Sequence, residues 1–459
     1  MKTIKETSNL IQAGKLSPVE ATRELLGRID TYDIDLNSFV TVCGDYALER
    51  AAECEKEIQS GNYIGPLHGI PIAVKDICET QDIRTSVGSK VFQDWVPKRD
   101  AEIVKNLQRS GAILLGKLNM TEFAMGLYHP DLNRPKNPWG KEVWVGASSS
   151  GSGVAVSAGL CMGAVGTDTG GSIRYPSATC SLVGIKPTYE LISRDGIFPL
   201  SQRLDHVGPI CRSVDDAEIF LNSLIGTDIP QVNTPLNNIR IGVDEEYIKD
   251  GVNSEVSDLV FQAINVFEEL GAKLIEVKVP TLVGGDDTWV TVTLVDALKD
   301  HEEFFPRNRS LYGPFGDQLE GAADIDPAVF KQCINYGNKF RQDFNKLFDD
   351  VDVIMCPTMV TIPPALNARN SMRVGDDVMS DISDAGWGEY SDRIGKFTAP
   401  FNFSGNPTIS LPCGFSSSRL PVSLQIIGKQ LDESTIISLG KQYQSATNWH
   451  SINPSGFGF

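Results

Sequence analysis

The densest chemistry in this chain lies between residues 146 and 188, GASSSGSGVAVSAGLCMGAVGTDTGGSIRYPSATCSLVGIKPT. Small residues and hydroxyls there surround two apolar stretches. Asp168-Thr169-Gly170-Gly171-Ser172 can turn tightly and aim several backbone N–H groups at one point, because glycine tolerates the conformations this needs. A helix opening at Ile173 would add the positive end of its dipole at the same place. That is the geometry of an oxyanion hole, where each well-placed donor is worth about 3 kcal/mol of barrier. The composition alone fits equally well a glycine-rich turn that lets a helix pack closely on a strand.

Simpler templates fail on residue identity. A phosphate-binding P-loop needs a lysine after its glycines, and none follows these. The dinucleotide fingerprint breaks at Val156, the third glycine position after Gly151 and Gly153. A G-x-S-x-G elbow is missing, since Arg174 stands two residues after Ser172. The S-x-x-K arrangement is absent too, with Gly151 three residues after Ser148 and Tyr175 three after Ser172.

A serine hydroxyl needs a base. His68, His129, His206, His301 and His450 show no pattern linking them to these serines. Lys75 is better placed, because it follows Ile70-Pro71-Ile72-Ala73-Val74 and so ends a buried strand. In open α/β sheets that edge is where ligands bind. Burial disfavours an ammonium, so a lysine there can be partly neutral near pH 7 and act as a base. The plainer alternative is a strand-end lysine salt-bridged to Asp76.

The elements that must position these groups fall into three stretches. Residues 1–65 read as helical, with a capping box at Ser17-Pro18-Val19-Glu20 and apolar Ala21, Leu25 and Ile29 at helical spacing. Residues 66–225 alternate short apolar strands (70–74, 112–116) with helices (100–109, and one capped by Ser213). Residues 226–459 resume the alternation. Strands are expected at 239–243, 274–279, 353–355, 408–411 and 422–427, and helices at 255–270 and 433–444. A sheet drawing strands from both ends of the chain implies one large α/β domain. Its central twisted sheet is expected to be mixed, mainly parallel, and covered by helices on both faces. Two less regular segments, about 281–350 and 362–395, are candidate pocket walls.

Bulk properties narrow the partners. The 459 residues are 41% hydrophobic and 22% charged, ordinary for a globular protein. A net charge of -18 repels phosphate backbones, so nucleic acid is not expected as a partner. Nine scattered cysteines without a C-x-x-C pair point to reduced core thiols, and the five histidines lack zinc-ligand spacing. No apolar run of about 18 residues and no apolar leader are visible. The expectation is a soluble cytoplasmic protein with no membrane contact.

These motifs together resemble the amidase signature family. Its first stretch corresponds to Gly146-Ala147-Ser148-Ser149-Ser150-Gly151-Ser152, its second to Asp168-Thr169-Gly170-Gly171-Ser172-Ile173-Arg174, and its upstream lysine to Lys75. Further likeness runs through Leu204-Asp205-His206-Val207-Gly208-Pro209 and Leu424-Gln425-Ile426-Ile427-Gly428, and is weakest between 281 and 395. The resemblance implies a Ser–Ser–Lys triad, with Ser172 as nucleophile, Ser148 as proton relay and Lys75 as base. It implies a cis peptide bond at the relay serine, at a cost of about 3–4 kcal/mol. It also implies oxyanion donors at Thr169, Gly170, Gly171 and Ser172, and neither metal nor organic cofactor. Met125, Tyr128, Ser149 and Tyr175 become candidate substrate-binding residues. Ala147 and Ser150 depart from the family's glycines, and Ser150 adds a hydroxyl near the relay.

The expected activity is hydrolysis of a small or aryl amide, extending to carbamates or esters, by a monomer or homodimer acting on a small molecule. The alternative is the glutaminase component of a tRNA-dependent amidotransferase, working with partner chains. That branch resembles the chain less well. Its aspartate for the glutamine amino group, just before T-x-P-x-N, is replaced by Gly395, and its basic central helix by Gln318-Leu319-Glu320-Gly321-Ala322-Ala323. Phe304, Phe305, Tyr312, Phe315, Trp387 and Tyr390 fall in the variable segments, as insertion core or pocket wall. A third reading, an inactive member kept for binding, sits poorly with the retention of Lys75, Ser148 and Ser172.

Overall fold

The apolar runs pair into one eleven-stranded sheet in a computed structural model that describes residues 2–230, 232, 235–366 and 393–458. The strands are β1 (Phe39–Val42), β2 (Pro71–Lys75), β3 (Ile113–Leu118), β4 (Gly163–Asp168), β5 (Val183–Lys186) and β6 (His206–Cys211). They continue with β7 (Arg240–Val243), β8 (Lys273–Glu276), β9 (Val353–Pro357), β10 (Thr408–Phe415) and β11 (Pro421–Gly428). Their order across the sheet is β1-β3-β2-β4-β6-β5-β10-β11-β9-β7-β8. Every residue of β2 to β6, β9 and β11 is buried, which requires cover on both faces. The α/β class and the single sheet built from both ends of the chain stand as read.

Strand direction differs from the reading in one respect. Parallel pairing is confined to β2 with β3 and β4, and to β7 with β8 and β9. The six remaining described pairs are antiparallel, so the sheet is mixed but not mainly parallel. Alternating strands and helices fix the elements but not the neighbours. β6 inserts antiparallel between β4 and β5, and the short turn before β11 can only join antiparallel partners.

The N-terminal stretch holds the helices Ile4–Gln12, Pro18–Leu36 and Gly44–Gln59. The capping box forms as read: Ser17 Oγ accepts from Val19 and Glu20 N–H at 3.0 and 3.3 Å, and Glu20 accepts in return from Ser17 N–H. The stretch also contributes β1, which adds antiparallel to β3. That strand is short and half-buried, too weak a pattern to stand out.

The segment 281–350, expected to be irregular, is helical over Gly285–Asp300, Pro314–Ala323 and Pro327–Lys346. The last of these buries Cys333, Gly337, Phe340 and Phe344, a helical stripe that its polar residues mask. Phe304, Tyr312 and Phe315 pack with Phe123, Phe198 and His301, at ring separations such as 5.2 Å for Phe123–Tyr312. They are insertion core. Trp387 and Tyr390 lie outside the described residues, as does most of 362–395. All nine cysteines are free, and eight are buried. No described helix is long and apolar enough to cross a membrane.

Phe315 is fully buried in that aromatic cluster, whereas Ile34 is 82% exposed. Phe315→Ala should lower stability by about 3–5 kcal/mol, and Ile34→Ala by less than about 0.5 kcal/mol. Urea melts of the two variants beside the parent chain measure the contrast.

Candidate active site

Three segments meet at one edge of the sheet. β2 ends at Lys75, its parallel neighbour β4 ends at Asp168, and the helix Ser150–Ser157 starts just beyond Ser148 and Ser149. Gly146 turns the chain into that helix with φ +87, and a Cβ there would strike the backbone of Pro176.

Lys75 is completely buried, and its Nζ lies 2.7 Å from both Ser148 Oγ and Thr167 Oγ1. Burial pushes the amine down to about 7, and the charges of Cys78, Asp205 and Asp168 offset only part of that. The salt bridge to Asp76 does not form. Asp76 accepts from Ser86 N–H at 2.8 Å and faces Lys117 at 3.7 Å.

Ser172 is 7% exposed, and its Oγ accepts the Ser148 backbone N–H at 3.2 Å. The structure therefore brings Lys75, Ser148 and Ser172 together. The link between the serines runs through the Ser148 main chain, and no bond joins the two hydroxyls among the described contacts. No cis peptide bond occurs among the described residues, which corrects the expectation at Ser148. With a trans backbone the Ser148 hydroxyl still reaches Lys75, and the adjacent N–H turns to Ser172.

The loop after β4 is organised by Asp168. Its carboxylate accepts the N–H groups of Gly171 at 2.8 Å, Ile173 at 3.1 Å and Arg174 at 3.4 Å. Arg174 adds Nε and an Nη at 3.0 and 2.8 Å, and Asn402 Nδ2 adds a bond at 2.9 Å. Burial alone would raise this carboxyl, but the guanidinium and the hydrogen bonds outweigh it and hold it well below the usual range. Gly171 therefore leaves the expected set of oxyanion donors, because its N–H is spent on Asp168. The N–H groups of Thr169, Gly170 and Ser172 have no acceptor among the described residues. Gly171 adopts φ +131, and a Cβ there would overlap the Tyr175 ring.

The candidate substrate-binding residues divide. The Ser149 hydroxyl is fully buried and bonds the Thr167 N–H and carbonyl, both at 3.1 Å, so its proton is already committed. Tyr175 is buried beneath Gly171, its hydroxyl 2.6 Å from the Ile394 carbonyl and 2.5 Å from Thr398 Oγ1. Burial also raises that phenol. Met125 is buried in the core. Tyr128 is half-buried and donates to Ser150 Oγ at 2.6 Å, so the extra hydroxyl at 150 bonds to Tyr128.

Several neighbours escaped sequence reasoning. Thr167 supports Lys75. Asp205 accepts from Thr169 Oγ1 at 2.6 Å, and burial pushes its carboxyl up to about 6. Trp289 Nε1 donates to the Thr169 carbonyl at 2.8 Å, and Thr398 Oγ1 to the Gly170 carbonyl at 2.7 Å. Arg174, Asp205 and Asn402 stand in or beside the motifs quoted above, but nothing in local sequence signals Trp289. A cavity of about 500 Å³ opens beside Thr167 and Thr169, walled also by Ile77, Ala124, Phe198 and Asp205.

One group of potential metal ligands exists among the described residues, Cys54, Glu57 and His68, within 4.8 Å of one another. His68 Nδ1 accepts the Ile64 N–H at 3.3 Å, which puts the ring proton on Nε2, 2.8 Å from Glu57. That tautomer offers no lone pair to an ion, and burial pushes the Cys54 thiol up to about 11.

Known proteins resemble this chain over nearly its whole length. The family model "Amidase" matches residues 20–437. A Mycobacterium tuberculosis (strain ATCC 25618 / H37Rv) protein named "Putative amidase AmiD" is 34% identical, over 98% of this chain and 95% of that protein. The glutamyl-tRNA(Gln) amidotransferase of Thermosynechococcus vestitus has a component that is also 34% identical, over 99% of this chain and 100% of that one. The crystal structure of a peptide amidase from Stenotrophomonas maltophilia superposes with a TM-score of 0.82 at 26% identity, covering 100% of this chain and 99% of that one.

Two outcomes follow from the buried charges. Asp168→Asn strands the Arg174 guanidinium and should cost about 3–5 kcal/mol, read as a lowered urea midpoint. The depressed Lys75 amine means that the unfolded chain binds more protons between about pH 7 and 10.5, so the native protein gains stability as pH rises through that window. Lys75→Met removes this linkage. Its melting temperature relative to the parent should be most favourable near pH 7 and should lose that advantage towards pH 10.

Proposed function

Because the chain belongs to the amidase signature family, we propose that it is a stand-alone amidohydrolase that opens the C–N bond of a small or aryl amide through an acyl-enzyme on Ser172. The reading extends to carbamates and esters, whose acyl chemistry is the same. The observation that carries it is the buried Lys75 amine, pushed down to about 7, lying 2.7 Å from the Ser148 hydroxyl while the Ser148 N–H lies on Ser172 Oγ.

In this mechanism Ser172 Oγ attacks the carbonyl carbon, and its proton passes to the Ser148 oxygen while the Ser148 proton passes to Lys75. The two hydroxyls must close on one another as substrate binds, which is usual for catalytic hydrogen bonds that tighten only in the complex. The oxyanion forms against the N–H groups of Thr169, Gly170 and Ser172. Collapse breaks the C–N bond, and the nitrogen takes its proton back along the same relay. Water then repeats the sequence on the acyl-enzyme and frees the acid.

One observation favours the glutaminase reading. A carboxylate does reach position 395, brought by Asp286. Gly395 N–H donates to Asp286 Oδ2 at 3.0 Å, and a Cβ at 395 would overlap that carboxylate. Glutamine therefore belongs in the assay beside amides, anilides, carbamates and peptide amides.

An alkyl fluorophosphonate should label the parent protein at Ser172, and the purified chain alone should hydrolyse at least one anilide or simple amide. Ser172→Ala should abolish both. Labelling at another residue, or turnover by Ser172→Ala, would falsify the nucleophile assignment. Hydrolysis of glutamine alone would move the reading to the second.

A further inference from the structure

Trp289 lies one turn into the helix Gly285–Asp300, in the part of the chain where resemblance to the family is weakest. The Asp286–Gly395 bond ties down the start of that helix. The Trp289 indole does two things at the nucleophile loop. Its Nε1–H donates to the Thr169 carbonyl at 2.8 Å, and its ring lies against Gly170, where a Cβ would come within 2.5 Å of it. Only glycine at 170 lets the ring approach so closely.

The Thr169 carbonyl and the Gly170 N–H belong to one peptide group. That N–H has no acceptor among the described residues and is one of the three donors left for an oxyanion. A hydrogen bond accepted at the carbonyl polarises the amide, strengthens the N–H at its other end and fixes the plane in which it points. Thr169 itself is buried, which favours the polarisation.

We infer that Trp289 is a positioning residue for the oxyanion hole, orienting and polarising the Thr169–Gly170 peptide through its indole N–H. The inference rests on Ser172 being the nucleophile. Trp289 touches no reacting atom. Its contribution grows as negative charge develops on the substrate oxygen, so it acts on the rate of reaction and leaves initial binding unchanged.

The test uses the full chain and an alkyl fluorophosphonate, whose attack by serine also builds charge on an oxygen. Intact-mass kinetics give the inactivation rate constant kinact and the half-saturation constant KI. Two variants are compared with the parent protein: Trp289→Phe, and the chain carrying β-(3-benzothienyl)alanine at 289, which keeps the bicyclic ring and replaces N–H by sulfur. Removing a direct oxyanion donor costs about 100-fold or more, so loss of the group that polarises one should lower kinact by roughly tenfold. KI should stay within about twofold, in both variants. A benzothienyl variant with the parent's kinact, or one in which KI rises while kinact holds, overturns the inference. If the parent protein is not labelled at Ser172, the nucleophile assignment itself fails, which is a distinguishable result.

Discussion

The site depends on one buried carboxylate. Asp168 and Arg174 are both completely buried, and the pair is bidentate. Two charges taken so far from water are tolerable only when every lone pair and proton is matched. Asp168 achieves this by collecting N–H groups from the loop that follows it. The collection is selective. Gly171, Ile173 and Arg174 give their N–H groups to the carboxylate, while those of Thr169, Gly170 and Ser172 have no acceptor among the described residues. A loop of this length cannot satisfy Asp168 and present every N–H to a substrate. The division between the two is therefore set by the ion pair before any substrate arrives.

Lys75 shows the opposite response to the same burial. Asp168 stays ionised because a guanidinium is in contact with it, whereas Lys75 touches only hydroxyls and moves towards the neutral amine. Environments that push titratable groups apart in this way are how one fold prepares its acids and bases. Burial alone does not single out the base. Lys117 and Lys186 are equally buried, but Lys117 bonds the Cys78 carbonyl and faces Asp76, and Lys186 bonds the carbonyls of Pro187 and Asn406. Lys117 also bonds the Thr85 hydroxyl at 2.6 Å, but neither amine has the two hydroxyls that Lys75 has through Ser148 and Thr167.

Sequence reasoning reached the residues whose role is local. The strand that ends at Lys75, the capping box at Ser17 and the glycines before Ser172 all leave a mark within a few positions. It missed what is decided by folding at long range. Whether Gly171 N–H points to a substrate or to Asp168 depends on torsions that the letters do not carry. Ser149 resembled a ligand-binding hydroxyl until Thr167 of the adjacent strand consumed it. Gly395 reads as a lost carboxylate, and only the fold brings the Asp286 carboxylate, 109 residues away, to its N–H. The strand directions failed for the same reason: alternation names the elements, but neighbours are chosen by the whole sheet.

Three consecutive carbonyls explain how the loop keeps its orientation. Asp168 O accepts from Asn402 at 2.9 Å, Thr169 O from Trp289 at 2.8 Å and Gly170 O from Thr398 at 2.7 Å. Each donor is a side chain from well over a hundred residues downstream. Because a peptide is planar, pulling its oxygen one way commits its N–H to the other. The Asp168–Ser172 loop is thus held by side chains from the C-terminal half of the chain and by the Asp168 carboxylate. A glycine-rich turn, which alone would sample many conformations, is confined to one. The two halves need each other: the motif segment brings the candidate groups, and the later segments supply the side-chain donors that hold their peptides in place.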